Sequence, residues 1–317
     1  MSNYKEIDLT KIKTYSINKR PSKVNIADFA KVYKKGYSFL QFWQSLPNIL
    51  IGKELHELVE AIILAIRKKK PVIIMMGAHV IKCGLNPLLI QLMEKGVVAC
   101  IAINGAGVIH DTETAYWGST SEDVAEALND GSFGMVKETP TIINSALVDG
   151  KINCLGFGES AGRKIFNDNC SYKNLSILAK GYELKIPITV HVAVGTDIVH
   201  QHSSSDGAVI GELSHRDFKI FCQQVSSLGD GGVVLNFGSA VVLPEVFLKS
   251  LTVARNLGYR VHNFTTANFD MIRHYRPQVN VVQRPIRTGG RGFQFIGHHE
   301  IMIPLLIAGI IEKMESN

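Results

Sequence analysis

Three short turns in this chain carry residue types that hold a phosphate with no side chain in the way. Val97 to Ile103 runs into Asn104-Gly105-Ala106-Gly107, Val233 to Phe237 into Gly238-Ser239-Ala240, and Val261 to Phe264 into Thr265-Thr266-Ala267. Small residues at a strand-to-helix junction leave backbone N–H groups uncovered, and those donors favour an anion. Repeated along one edge of a parallel sheet, such turns describe a dinucleotide-binding crevice. None of them matches G-x-G-x-x-G, and a glycine-rich turn also serves as a bare tight connection.

Groups suited to proton transfer sit beside these turns. His110 and Asp111 follow the first and Glu245 follows the second. An imidazole near carboxylates can be poised around neutral pH. Lys82 is the lysine nearest a strand-end turn and is the candidate nucleophile. Arg273, Arg276, Arg284, Arg287 and Arg291 fall close together. Guanidinium forks suit carboxylate or phosphate, so Arg284 and Arg287 are expected to hold an anionic group on the substrate. His200, His202, Asp206, His298 and His299 are metal-compatible types, but their spacing is no zinc signature and no metal is assigned.

The elements that must position these groups read as α/β. Apolar runs at Val72–Met76, Val97–Ile103, Ile188–Val192, Gly232–Asn236, Tyr259–His262 and Phe293–Ile296 show little polar alternation, the pattern of strands covered on both faces. Helical periodicity is expected near 26–45, 50–68 and 85–95, and in an interrupted stretch from 108 to 184. Residues 1–25 are polar and Lys-rich and read as an arm; 26–317 read as one domain.

At 317 residues the chain can bury a large core, and 46% hydrophobic against 20% charged residues describes an ordered globular protein. A net charge of +6, spread rather than striped, argues against nucleic acid. The five cysteines include no C-x-x-C and read as reduced core thiols. The run Ile301 to Ile311 is too short to span a bilayer, no signal region follows Met1, and a cytoplasmic protein with no membrane partner is expected.

Several blocks, in order over residues 70–312, resemble deoxyhypusine synthase and its relatives. Asn104-Gly105-Ala106-Gly107 is similar to that family's T-A-G-G turn, Ile186-Pro187 through Thr196-Asp197 to its I-P-V-x-x-P-A-x-T-D segment, and Gly238 to Val242 to its G-G-G-V-V. Thr266-Ala267-Asn268-Phe269-Asp270 is similar to T-A-Q-E-F-D, and Pro304 to Ala308 to P-L-L-V-A. The resemblance implies a Rossmann-like α/β fold: a doubly wound parallel sheet with helices on both faces, here with an N-terminal helical extension. It implies NAD contacts at Ala78, His79, Asn104, Gly105, Ala106, Gly107, Asp197, Gly238, Ser239, Thr266, Ala267 and His298, and a substrate contact at Asp270.

It further implies an amine substrate, oxidation to an imine, transfer of an aminoalkyl group, and a homotetramer. The family's reaction captures the aminobutyl group of spermidine on a lysine in a W-G-K segment. That segment falls near Val282–Pro285 here, and no lysine lies between Lys249 and Lys313. The expectation is therefore a deoxyhypusine synthase-like, NAD-dependent transferase whose nucleophile has changed. A non-catalytic NAD-binding protein and a hydrolase using histidine and carboxylate remain the alternatives.

Overall fold

The computed structural model describes residues 3–315. Contact clustering divides the chain at Lys53/Glu54 into two compact units. Among the described residues of the first unit only Trp43 and Ser45 are buried. The helix expected over 26–45 is absent. In its place are a 3-10 turn at Ile26–Asp28 and a helix of five residues, Phe39–Trp43. Gly36 at φ +91° ends any run through it, and Ser38 with Gln41 forms a capping box that starts the short helix.

The second unit is a six-stranded sheet: β1 (Val72–Met76), β2 (Cys100–Asn104), β3 (Ile188–His191), β4 (Val233–Phe237), β5 (Phe264–Asp270) and β6 (Gly290–Ile296). All pairings are parallel and the spatial order is β3-β2-β1-β4-β5-β6. Every residue of β1 and β4 is buried, as expected for central strands with helices on both faces. This is the doubly wound Rossmann-like order. The chain winds outward from β1 to β3, crosses back, and winds the other way from β4 to β6. The switch point lies between β1 and β4.

Two rows of side chains fix the ends of β4, β5 and β6. On one face Phe237, Phe269 and Phe295 pack ring to ring, Phe269 and Phe295 stacked at 4.5 Å and Phe237 edge-on to Phe269 at 5.3 Å. On the opposite face Asn236 Nδ2 donates to Asn268 Oδ1 at 2.6 Å, and Asn268 Nδ2 donates to Gln294 Oε1 at 3.2 Å. Asn236 Nδ2 also donates to the Ser239 carbonyl at 3.0 Å, tying the following turn to the sheet. The ladder continues past the strands: the N–H groups of Gly77, Gly238 and Gly297 donate to Phe237, Phe269 and Asp270 carbonyls at 2.9–3.0 Å.

The fifth strand corrects the sequence reading. It begins at Phe264, not Tyr259, so Thr266 and Ala267 lie inside β5 rather than in a turn. Both are fully buried between neighbouring strands, and Thr266 Oγ1 has no hydrogen-bond partner. The polar content of Thr265 to Asp270 had hidden the strand, because its amides are satisfied across the sheet.

Candidate functional site

At the switch point, the turn after β1 meets the turn after β4. A Cβ on Gly77 would stand 2.8 Å from the Gly238 carbonyl. Gly238 itself has φ +65°, and a Cβ there would run into Nε2 of His299. Only glycine fits: the two turns pack backbone against backbone, with His299 over Gly238. Two buried side chains border this crevice with unspent hydrogen-bond capacity. Asp270, the last residue of β5, accepts from the Met271 N–H at 2.8 Å through Oδ1, while Oδ2 has no partner. His299, first residue of the helix His299–Glu315, has no partner for Nδ1.

His299 is 2% exposed, and burial holds its pKa below the ordinary value, with Asp270 opposing that shift. Its ring centroid lies 6.0 Å from that of His79. Of the two adjacent histidines, the sequence reading had placed His298 on the cofactor. In the fold His298 points to solvent, its side chain 63% exposed beside Glu300, and His299 is the one over Gly238. Ser239 is buried and caps the helix Val242–Asn256 by accepting the Leu243 N–H at 3.2 Å.

The Asn104–Gly107 turn differs from expectation. Its donors are already taken by the protein: Asn104 Oδ1 accepts the Gly107 N–H at 3.1 Å, and the Asp197 carboxylate hydrogen-bonds the Ala106 N–H. A Cβ at Gly105 would strike Asp197 Oδ2, so the glycine is there to admit that carboxylate. The Asp197 carboxylate sets a negative charge at this helix start, which disfavours a phosphate there. Asp197 is 6% exposed, burial pushes its pKa up, and Oδ2 keeps no hydrogen-bond partner.

Next to Asp197, under the segment 117–139, lies a cavity of about 480 Å³. Lys82, Ala106 and His110 line it with Asp197, which brings together four of the sequence candidates. His110 Nδ1 is 2.7 Å from Thr120 Oγ1, Thr120 donates to Glu113 Oε2, and Thr139 donates to Glu113 Oε1 at 3.0 Å. Burial lowers the His110 pKa, with Glu113 pulling the other way, so the ring is neutral at neutral pH and can accept a proton. Glu113 and Thr120 were not among the sequence candidates. Glu113 had a signal: three residues after His110 on a helix, it shares its face.

Other candidates lie elsewhere. Asp111 is fully buried and accepts four hydrogen bonds, from Asn86 Nδ2, Ser176 Oγ and the Ile177 and Leu178 N–H groups, at 2.5–3.1 Å. It caps the helix Ile177–Leu184 and has no face toward substrate, although burial raises its pKa to about 6. Glu245 is ion-paired with Lys249 and Arg276 and accepts from Asn280, and the Lys249 bond leads in holding its pKa down. A carboxylate so held is a poor base at neutral pH.

Arg284 donates to Asn280, and Arg287 precedes the first residue of β6, at the edge of the sheet opposite the crevice. Neither arginine reaches the site within this chain. Lys82 is solvent-exposed, whereas a Schiff-base lysine has to be desolvated. His200 accepts the Gly195 and Asp197 N–H groups, His202 bonds the Gly134 carbonyl, and Asp206 caps the helix Gly207–Ser226. Among the described residues no three His, Cys, Asp or Glu group to hold a metal ion, and no helix is long and apolar enough to cross a membrane.

No protein-family model and no curated protein matches the chain. Among solved structures, the ternary complex of AgrE with ornithine and NAD+ aligns with TM-score 0.53 at 11% identity, over 84% of this chain and 34% of that one. ArgZ, an arginine dihydrolase from the ornithine-ammonia cycle in cyanobacteria, aligns in its apo form with TM-score 0.52 at 14% identity, over 84% and 32%. This chain spans about a third of the length of those proteins. A putative deoxyhypusine synthase from Entamoeba histolytica aligns over 89% of this chain and 96% of that one, at 11% identity and TM-score 0.49, too low to carry an argument. The alignments establish a Rossmann-like α/β fold.

Proposed function

We propose that this chain is a NAD-dependent enzyme acting on an amine, with the dinucleotide across the β1/β4 switch point and the amine in the cavity beside Asp197. The observation that carries the reading is the pair of buried atoms without hydrogen bonds, Asp270 Oδ2 and His299 Nδ1, beside the closely packed glycine turns of the switch point. Buried polar atoms without partners are expensive, and folds retain them where a ligand completes them.

The residues present fit a dinucleotide at this point. Gly77, Ala78, Gly238 and Ser239 would carry its backbone-facing side, and Asp270 would accept from its ribose hydroxyls. The Asn104–Gly107 turn would support the site through Asp197 rather than bind phosphate. NAD, when bound, would supply the hydride acceptor that turns the carbon bearing the amine into an imine, and would reduce the new imine formed once a second amine has added there and the first has departed.

The protein's own part is proton handling and exclusion of water. Neutral His110 accepts a proton from the substrate ammonium at Nε2 while Thr120 and Glu113 hold the ring through Nδ1. Trp117 and Phe133 line the cavity and limit solvent around the reacting carbon.

Calorimetric titration of NAD tests the reading. Wild type should bind NAD, and Gly238→Ala should bind it at least tenfold more weakly, because the added methyl displaces His299. Equal affinity in the two proteins, or no heat with wild type, removes the proposal.

A further inference from the structure

The cavity beside Asp197 is more sharply charged than an amine alone requires. Glu113, Glu122, Glu138 and Asp197 supply four carboxylates, and Lys82 is the single lysine on its wall. Glu113 is fixed by the hydroxyls of Thr120 and Thr139. Asp197 is more than nine-tenths buried, lines the cavity, and has an oxygen with no hydrogen bond, 3.9 Å from His200 Nε2.

Lys82 is the counterpart. It makes no ion pair among the described residues, so its charge is not used to hold the fold. Lys82 and Glu113 act with opposite sign on the same His110 imidazole, so cation and carboxylate both stand within electrostatic reach of the base. The apolar part of the lining, Trp117, Phe133 and Val136, suits a methylene chain.

We infer that this cavity takes a basic α-amino acid, its ammonium groups on the carboxylates and its own carboxylate on Lys82, in preference to a plain polyamine. The inference rests on the amine-substrate reading above and names the substrate class of that site. A polyamine carries cations only, and its approach to Lys82 is repulsive; a carboxylate on the ligand turns that contact into an attraction. Discrimination thus comes from one residue that rejects as well as attracts.

The test compares L-lysine with 1,5-diaminopentane, which lacks only the carboxylate, by calorimetry without NAD. Wild type should bind L-lysine tighter by about fivefold or more, the scale of one partly exposed charge pair. Lys82→Met should abolish the preference, Lys82→Glu should reverse it, and Glu113→Gln should weaken both ligands. Lys82 is exposed, so its variants should melt with wild type. Equal or tighter binding of the diamine by wild type overturns the inference. So does a preference unchanged in both Lys82 variants, or no binding of either ligand. NAD titrated separately into the same preparation keeps the two claims apart: NAD heat without amino-acid preference sinks this inference and leaves the dinucleotide site standing.

Discussion

Asp270→Asn separates a binding residue from a structural one. The side chain is 6% exposed, Oδ1 accepts the Met271 N–H at 2.8 Å, and Oδ2 stands 3.9 Å from His274 Nε2 with no hydrogen bond. Asparagine keeps the Met271 bond and removes the charge from a desolvated position. An orphaned buried polar group costs about 1–3 kcal/mol, and the amide recovers part of that. The free variant should therefore be as stable as wild type or more stable by about 1 kcal/mol, a rise in Tm of about 2–4 °C for a domain of this size. A hydrogen bond from a ligand to a charged acceptor contributes about 1.5–3 kcal/mol, so NAD affinity should fall by about 10- to 150-fold. Thermal unfolding and NAD calorimetry on the same preparations read both quantities. A Tm several degrees lower with NAD affinity unchanged would refute the reasoning and make Asp270 a structural residue.

Asn104→Ala removes a helix cap and should lower stability by about 1 kcal/mol in urea unfolding, with NAD affinity within twofold of wild type; a large loss of affinity would restore that turn as a phosphate site. Asp111→Ala strands four buried donors and should destabilise by about 3 kcal/mol or more, and a variant with wild-type stability would contradict the capping role. His191 is 4% exposed and burial takes its pKa down to about 3. The unfolded state therefore takes up the proton first, and stability present above pH 6.5 is lost as pH falls, by about 1.4 kcal/mol per pH unit. His191→Gln should flatten that slope, and an unchanged difference between pH 7 and pH 5 would count against it. We also expect a homo-oligomer, a tetramer by the resemblance, and light scattering giving a monomer would overturn that.

Much of the sheet was readable because β1 is a continuous apolar run and β2, β3 and β4 are mostly apolar, a pattern that a two-sided core explains. β5 was not, because Thr266, Asn268 and Asp270 are polar and their burial depends on partners in β4 and β6. Distance along the chain also hid the fate of the first turn. Nothing near Asn104 announces that Asp197 fills it, and nothing near Asp111 announces the helix it caps. Topology divides the arginine cluster: Arg273 and Arg276 follow the end of β5, while residues 284–291 approach the start of β6, at the strand ends away from the crevice. Of the adjacent histidines, only helix geometry decides that His299 turns inward and His298 outward.

A crystal structure of the protein with NAD addresses the central claim most directly. The dinucleotide should lie over Gly77 and Gly238, with a ribose hydroxyl or amide donor on Asp270 Oδ2 and His299 in contact. Pyrophosphate seated on the Asn104–Gly107 turn with Asp197 displaced, or NAD-soaked crystals whose switch crevice holds only water, would contradict it.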